Sequence, residues 1–246
     1  LVLMESYEAW PMFEEFAPLG LAPELTRLAR NGLSVRPFLP SSSGTIESLS
    51  VLVSGLADAG VHTNYQASSR RPYATAVAPA FRRLGYRTRF FYGGYPSWER
   101  VADFCRDQGF EEVYGGGHMG QWVRGNEWGV DDSQLFRFVG DTVRDDTPSF
   151  NLILTTTFHP PYDIDVRAEG FPLTQVPAGI AARCKGSVDL NFLGHFWYAD
   201  HCVGDFVRRA EARLTRPLFA LTGDHAGRRT ITARPSAAEK GLVPLV

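Results

Sequence analysis

Apolar residues in this chain fall into two patterns that alternate along its length. Short runs at residues 1–4, 150–157 and 218–222 are rich in Leu, Ile, Phe and Thr, as strands buried on both faces require, and residues 86–91 also read as a strand. Between them lie longer amphipathic stretches. Residues 21–30 read as a helix with Pro23 near its start and Gly32 just past its end. Residues 45–53 place Ile46, Leu49 and Val53 near one helical face. Residues 74–84 stop at Gly85, a favourable terminating residue. Ser97 can cap a helix running to about Asp107, with Gly109 ending it. Residues 132–144 and 191–213 complete the helices. Residues 11–18, 60–72, 115–125 and 160–185 read as loops. Strands buried on both faces and separated by helices predict an α/β fold with a parallel sheet covered on both sides, in one domain.

Composition narrows the class. The chain has 246 residues, 44% hydrophobic and 21% charged, as in an ordinary globular protein. Its 25 basic and 27 acidic residues give a net charge of −2, which excludes a strongly basic nucleic-acid module. No run of about 18 apolar residues is present to span a bilayer, and no signal-peptide pattern precedes the first strand. Cys105, Cys184 and Cys202 have no metal-type spacing and read as buried thiols, a single disulfide remaining open. The apolar termini, 1–4 and 243–246, are unusual for chain ends and read as core strands of a piece of something longer.

Polar residues collect where the strands end, the place where open α/β sheets bind ligands. Glu5 follows the first strand, and a carboxylate there is costly to bury unless paired or metal-bound; an exposed strand-end acid is the alternative. Ser41-Ser42-Ser43-Gly44-Thr45 opens a helix. Small residues allow close approach, and a hydroxyl there can attack phosphorus if its pKa is lowered; a plain helix cap is the alternative. Asp224-His225 lies within Thr222-Gly223-Asp224-His225-Ala226-Gly227-Arg228 after the last strand, and offers two ligands to a divalent ion or a hydrogen-bonded loop pair. His159, in Thr155-Thr156-Thr157-Phe158-His159-Pro160-Pro161-Tyr162, is placed to contact substrate or to serve as a structural histidine. Together these put Glu, Thr, Asp and His at three strand ends, as a one-metal site with a hydroxyl nucleophile requires. No Lys or His stands beside Thr45 in sequence to activate it otherwise.

The order Met-Glu-Ser, Ser-Gly-Thr, His-Pro-Pro-Tyr and Gly-Asp-His-Ala-Gly resembles the lipoteichoic acid synthase group, within the sulfatase-like part of the alkaline phosphatase superfamily. Phe91-Tyr92-Gly93-Gly94, Trp98-Glu99-Arg100, Asp107-Gln108-Gly109-Phe110, Glu127-Trp128-Gly129-Val130-Asp131-Asp132, Tyr198-Ala199-Asp200 and Gly204-Asp205-Phe206 extend the resemblance over nearly the whole chain. It implies a three-layer, alkaline-phosphatase-like (sulfatase-like) fold around a mainly parallel sheet. It also implies one divalent ion, commonly manganese, with magnesium or zinc as alternatives. Glu5, Asp224 and His225 would bind that ion, with Thr45 completing the site as nucleophile. Trp98, Arg100 and His159 would hold a phosphoglycerol head group, with His159 also in a catalytic role. Arg100 suits phosphate because a guanidinium donates paired hydrogen bonds.

The implied activity is transfer of phosphoglycerol from a phosphatidylglycerol-like lipid to a glycan, glycolipid or polymer hydroxyl. The setting would be the extracytoplasmic face of a bacterial membrane, in a catalytic domain over residues 1–246 of a membrane-anchored parent. Phosphoethanolamine transfer, hydrolysis of a phosphodiester and a non-catalytic binding domain are the other readings. The chain departs from the group at four places. Tyr92 stands where a His precedes the Gly pair, the spacing from there to Trp98 is one residue shorter, Gly44 stands where Lys often precedes the nucleophile, and the stretch after Gly227 is Arg-rich (Arg228, Arg229, Arg234) and matches poorly. Sulfatases proper mature a Cys or Ser to formylglycine, which Thr45 cannot become, so the resemblance favours phosphoryl over sulfuryl esters.

Overall fold

A computed structural model describes residues 1–120, 124–226 and 229–246. The main sheet contains β1 (Val2–Met4), β2 (Arg87–Tyr92), β3 (Glu112–Tyr114), β6 (Ser149–Leu154) and β7 (Leu221–Gly223), in the order β3-β2-β6-β1-β7. Every neighbouring pair in it is parallel. A small antiparallel hairpin joins β4 (Gly125–Asn126) to β5 (Gly129–Val130). The helices are α1 (Pro23–Asn31), α2 (Thr45–Ser54), α3 (Val77–Arg83), α4 (Val101–Asp107), α5 (Asp132–Thr142), α6 (Ala178–Ala181), α7 (Leu190–Arg213) and α8 (Ala237–Gly241). None of these is long and apolar enough to cross a membrane.

Strand alternation explains the layering. Val2 and Met4 of β1, Phe91 of β2 and Ile153 of β6 point to one side, into a core completed by α1, α5 and α7. Leu3, Phe90, Leu152 and Leu154 point to the other, against Ile46, Leu49 and Val53 of α2, Ala78 of α3, and Val101 and Phe104 of α4. Two cores back to back on one sheet require strands that are apolar throughout, which is the run pattern in the sequence. This is the three-layer α/β arrangement expected. β1 is an interior strand, flanked by β6 and β7, so its C-terminal tip has the loops that follow both of them at its sides.

Several local expectations are corrected. The run at 150–157 leaves the sheet after Leu154: the Thr155 N–H still donates to the Leu3 carbonyl of β1 (3.1 Å), but the threonine hydroxyls and the N–H groups of Thr156 and Thr157 bond to Glu5, Val130 and Asp132 beyond the strands. The last strand begins at Leu221, not 218; Leu218 is 93% exposed. The helix expected from residue 74 starts at Val77, since Thr75 is held by its hydroxyl on the Ser54 carbonyl. Ser97 makes no side-chain cap. A 3-10 turn covers Trp98–Arg100, and the chain enters α4 through left-handed backbone at Glu99 and Arg100, which moves the cap position to Arg100. The C-terminal apolar run forms no strand of the sheet. It joins β7 through reciprocal bonds between Leu221 and Val246 of 2.8 and 3.0 Å. All three cysteines are free thiols.

Candidate active site

β1 delivers Glu5 at its tip, where the backbone turns through a left-handed Ser6 (φ 49°). That turn aims the Ser6 N–H at Asp224 Oδ1 (2.7 Å) and its hydroxyl at Glu5 Oε1 (2.6 Å). The Glu5 N–H donates to Thr155 Oγ1 (3.0 Å), which ties the tip of β1 to the end of β6. On the other flank, β7 delivers Asp224, whose N–H donates to the Met4 carbonyl (3.0 Å), followed by His225. The His225 N–H donates to Asp224 Oδ1 (2.7 Å). Sheet register therefore fixes two carboxylates and an imidazole from strands adjacent in space and about 220 residues apart in sequence.

Thr45 completes the group from the other direction. It is the first residue of α2, whose apolar face is sunk in the second core. Its hydroxyl donates to Asp224 Oδ2 at 2.6 Å and lies 3.2 Å from Glu5 Oε2. His225 Nε2 stands 4.0 Å from Glu5 Oε1 and 3.8 Å from Asp224 Oδ2. Single ligand atoms of Glu5, Asp224 and His225 all lie within 4.8 Å of one another. Glu5, Asp224 and His225 are buried, while Thr45 is half-buried and open to a reactant.

Electrostatics make this arrangement informative. Burial pushes the Asp224 carboxyl above the ordinary carboxylate range, against the pull of His225, Thr45 and two backbone donors. Two buried carboxylates converging on one hydroxyl repel each other, which is costly unless a cation lies between them. Carboxylate oxygens, an imidazole nitrogen and a hydroxyl form a donor set suited to manganese, magnesium or zinc. The residues present therefore fit a divalent ion.

Tyr92 was not expected among the site residues. It ends β2, is buried, and its phenol is held protonated by burial and by the negative charge of Glu5 and Asp224. Gly94 is required beside it, since a Cβ there would stand 2.4–2.7 Å from the Tyr92 ring. The signal for Tyr92 was its place after an apolar strand and before a Gly pair. Trp98 stands beside this group, its ring centroid 6.0 Å from that of Tyr92, and packs partly on the second core.

Arg100 and His159 stand in more local contacts. Arg100 Nη1 donates to the Asn64 carbonyl (2.5 Å) and Nη2 to Asp107 (3.4 Å), joining the 59–72 loop to α4. His159 lies beyond the end of β6. Its Nδ1 donates to the Pro160 carbonyl (2.7 Å), and its ring packs on Trp128 with centroids 3.9 Å apart. The backbone leading to His159 is held by Asp132, whose Oδ1 accepts from the N–H groups of Thr156 and Thr157, each at 3.1 Å. Gly227 and Arg228, which close the Asp-His motif in sequence, lie outside the described residues.

Comparison with known proteins places this geometry in context. A family model described as sulfatase matches residues 1–241. Among solved structures, the chain is similar to a protein in the alkaline phosphatase superfamily from Vibrio parahaemolyticus, with TM-score 0.74 and 18% identity over 99% of this chain and 58% of that one. It is similar to the lipoteichoic acid synthase LtaP from Listeria monocytogenes, with TM-score 0.75 and 16% identity over 99% and 63%. It is also similar to the Streptococcus pyogenes phosphoglycerol transferase GacH, solved with sn-glycerol-1-phosphate, with TM-score 0.68 and 11% identity over 99% and 66%. At these identities the likeness is one of fold. The chain spans about six-tenths of the length of the first two structures it matches.

Proposed function

This chain belongs to the sulfatase family, and on that premise we propose that it is a divalent-metal-dependent phosphoglycerol transferase with Thr45 as nucleophile. The observation that carries the reading is the Thr45 hydroxyl, half-buried at the start of α2 and directed onto the carboxylates of Glu5 and Asp224 with His225 beside them. A hydroxyl is a weak nucleophile, and the site supplies its activators. When bound, a divalent ion held by Glu5, Asp224, His225 and Thr45 would lower the pKa of the threonine hydroxyl and offset negative charge on the phosphoryl oxygens. Thr45 Oγ1 attacks phosphorus, its proton passing to Asp224 Oδ2, the atom it already faces at 2.6 Å. The bond from phosphorus to the diacylglycerol oxygen breaks, leaving phosphoglycerol on Thr45. An acceptor hydroxyl then attacks the same phosphorus, giving its proton to the now neutral His159, while Asp224 returns a proton to the departing Thr45 oxygen.

The remaining residues position the head group. Trp98, whose ring stands 6.0 Å from that of Tyr92, would wall the glycerol side, and Arg100 is the proposed phosphate contact. With Nδ1 donating to Pro160, a neutral His159 carries its lone pair on Nε2; protonated there, it can give a proton to the leaving oxygen. The donor is a phosphatidylglycerol-like lipid and the acceptor a glycan, glycolipid or polymer. The unit over residues 1–246 belongs, on this reading, to a longer membrane-anchored chain and works on the extracytoplasmic face of a bacterial membrane. Most phosphoryl-transfer catalysis is positioning and charge neutralisation, which this site is built to supply.

The test is turnover of phosphatidylglycerol across a panel of manganese, magnesium and zinc. Thr45→Ala is expected to lose activity with every metal. Full metal-dependent activity in Thr45→Ala would contradict the assignment. An adduct carrying phosphoethanolamine instead would move the chain to that class of transferase while leaving Thr45 in place.

A further inference from the structure

One large aromatic side chain near the site belongs to neither core. Trp128 sits at the tip of the β4–β5 hairpin, 37% exposed, with one part of its ring against His159. The hairpin holding it is rigidly mounted. Val130 N–H donates to the Gly93 carbonyl (2.9 Å), and the Thr156 hydroxyl donates to the Val130 carbonyl (3.0 Å). Gly129 has a left-handed φ of 151°, and a Cβ there would meet the Gly93 carbonyl oxygen at 2.4 Å, so the hairpin lies directly on the loop that follows Tyr92. Arg124 locks its base through Asp131, Glu169 and Tyr198. Asn126 stands next to Trp128 on the hairpin: its Oδ1 accepts from the Trp128 backbone N–H (2.9 Å), and its Nδ2 donates to Asp163 Oδ1 (3.2 Å).

We infer that Trp128 is the platform on which the acceptor's sugar ring stacks, with Asn126 and Asp163 bonding its hydroxyls and His159 packed against the indole. The inference rests on the proposed transfer to a hydroxyl acceptor and names that acceptor as a pyranoside. The argument is one of chemical match. A pyranose presents a flat face of polarised C–H bonds, which the electron-rich face of an aromatic ring attracts, and a rim of hydroxyls. Trp128 would supply the face, and the amide of Asn126 beside it and the exposed carboxylate of Asp163 bonded to that amide would supply partners for the hydroxyls. A single indole is too small to hold an acyl chain. Arg124, at the base of the hairpin, is engaged by Asp131 and Glu169. Held rigid, such a ring binds at low entropic cost.

The experiment measures saturation-transfer NMR from the full chain to methyl β-glucopyranoside, with glycerol as a hydroxyl-bearing control that has no ring. Ring C–H protons of the glucoside are expected to receive saturation from the wild type and from Trp128→Phe. Trp128→Ala should weaken glucoside binding by about tenfold, equivalent to about 1.4 kcal/mol. Trp128→Gln removes the aromatic face while keeping a polar surface, and carries the same expectation should the alanine variant unfold. With phosphatidylglycerol and manganese present, the ratio of transfer to glucoside over transfer to glycerol should fall by about the same factor. Glucoside contact that is absent from the wild type, or equal in wild type and Trp128→Gln, overturns the inference whether or not the donor is turned over. Trp128-dependent glucoside contact without any adduct on Thr45 would instead overturn the proposed function and leave the sugar platform standing.

Discussion

Two buried carboxylate clusters lie on the same molecule and differ in what their oxygens face. Asp200, on α7, accepts the Tyr7 hydroxyl at 2.7 Å and the N–H groups of Glu24 and Leu25 at 2.8 and 3.0 Å. It thereby satisfies donors at the start of α1 and pins the chain just after the tip of β1. Glu5 and Asp224, as deeply buried, instead face each other across the Thr45 hydroxyl and the His225 ring. The first cluster is complete as an intramolecular joint. The second concentrates negative charge around a nucleophile, an arrangement that costs stability and makes sense as the holder of a cation. Burial alone therefore does not mark a functional acid; convergence with a second acid and a reactive hydroxyl does.

The sharpest way to break this contrast is to exchange one side chain in each cluster. Thr45→Ala should reduce turnover by at least about a thousandfold, as loss of a nucleophile does elsewhere, while leaving the urea midpoint nearly unchanged. Asp200→Ala should show the opposite balance. It strands one buried hydroxyl and two backbone donors, and should cost about 2–4 kcal/mol in urea unfolding. If Asp200→Ala loses activity without losing stability, the two clusters have been assigned the wrong way round.

Metal binding sharpens the comparison next. A cation that binds only the folded chain should stabilise it by about 2.7 kcal/mol at a hundred times its Kd, read as a rise in Tm on adding manganese. Asp224→Asn should abolish that rise, and Asp132→Asn should retain it. A manganese response that survives Asp224→Asn would place the ion elsewhere.

The smallest effect is a slope in stability with pH. Burial pushes the carboxyls of Asp200 and Asp132 up to about 7 in the folded chain, outweighing the hydrogen bonds that favour their ionised forms. Unfolded, an aspartate returns to about 3.9. Between about pH 4 and pH 7 the folded state thus holds protons that the unfolded state has released. Stability from these groups is full below the unfolded value and declines as pH rises through the window. Urea midpoints measured across that range on Asp200→Asn should show a flatter slope than the wild type.

Much of this was legible from residue order, and the reasons for the exceptions are physical. Runs such as residues 1–4 and 150–154 announce a two-sided parallel sheet because both faces of each strand must be apolar. Glu5 and Asp224-His225 stand out because charge follows directly on such runs. Thr155, Thr156 and Thr157 read as strand on β-branching, but their hydroxyls are spent on Glu5, Val130 and Asp132, all brought close only by the fold. β3, three residues at the sheet edge, is too short to announce itself. Tyr92 stands out in the sequence only as a replacement for a His, and Trp128 only as part of a motif, since nothing in one dimension shows a phenol near two carboxylates or an indole on a histidine. Arg100 was expected on phosphate from the family resemblance; its contacts with Asn64 and Asp107 run through a loop that sequence alone does not place.

The central claim is that Thr45 carries the transferred group. Its most direct test is intact-mass and peptide analysis of the chain after incubation with phosphatidylglycerol and manganese, using rapid acid quenching. The account predicts an added mass of one phosphoglycerol group, localised to Thr45, absent without metal and absent from Thr45→Ala. Metal-dependent release of diacylglycerol from phosphatidylglycerol with no modified Thr45 under rapid quenching, or an adduct on another residue, would contradict it.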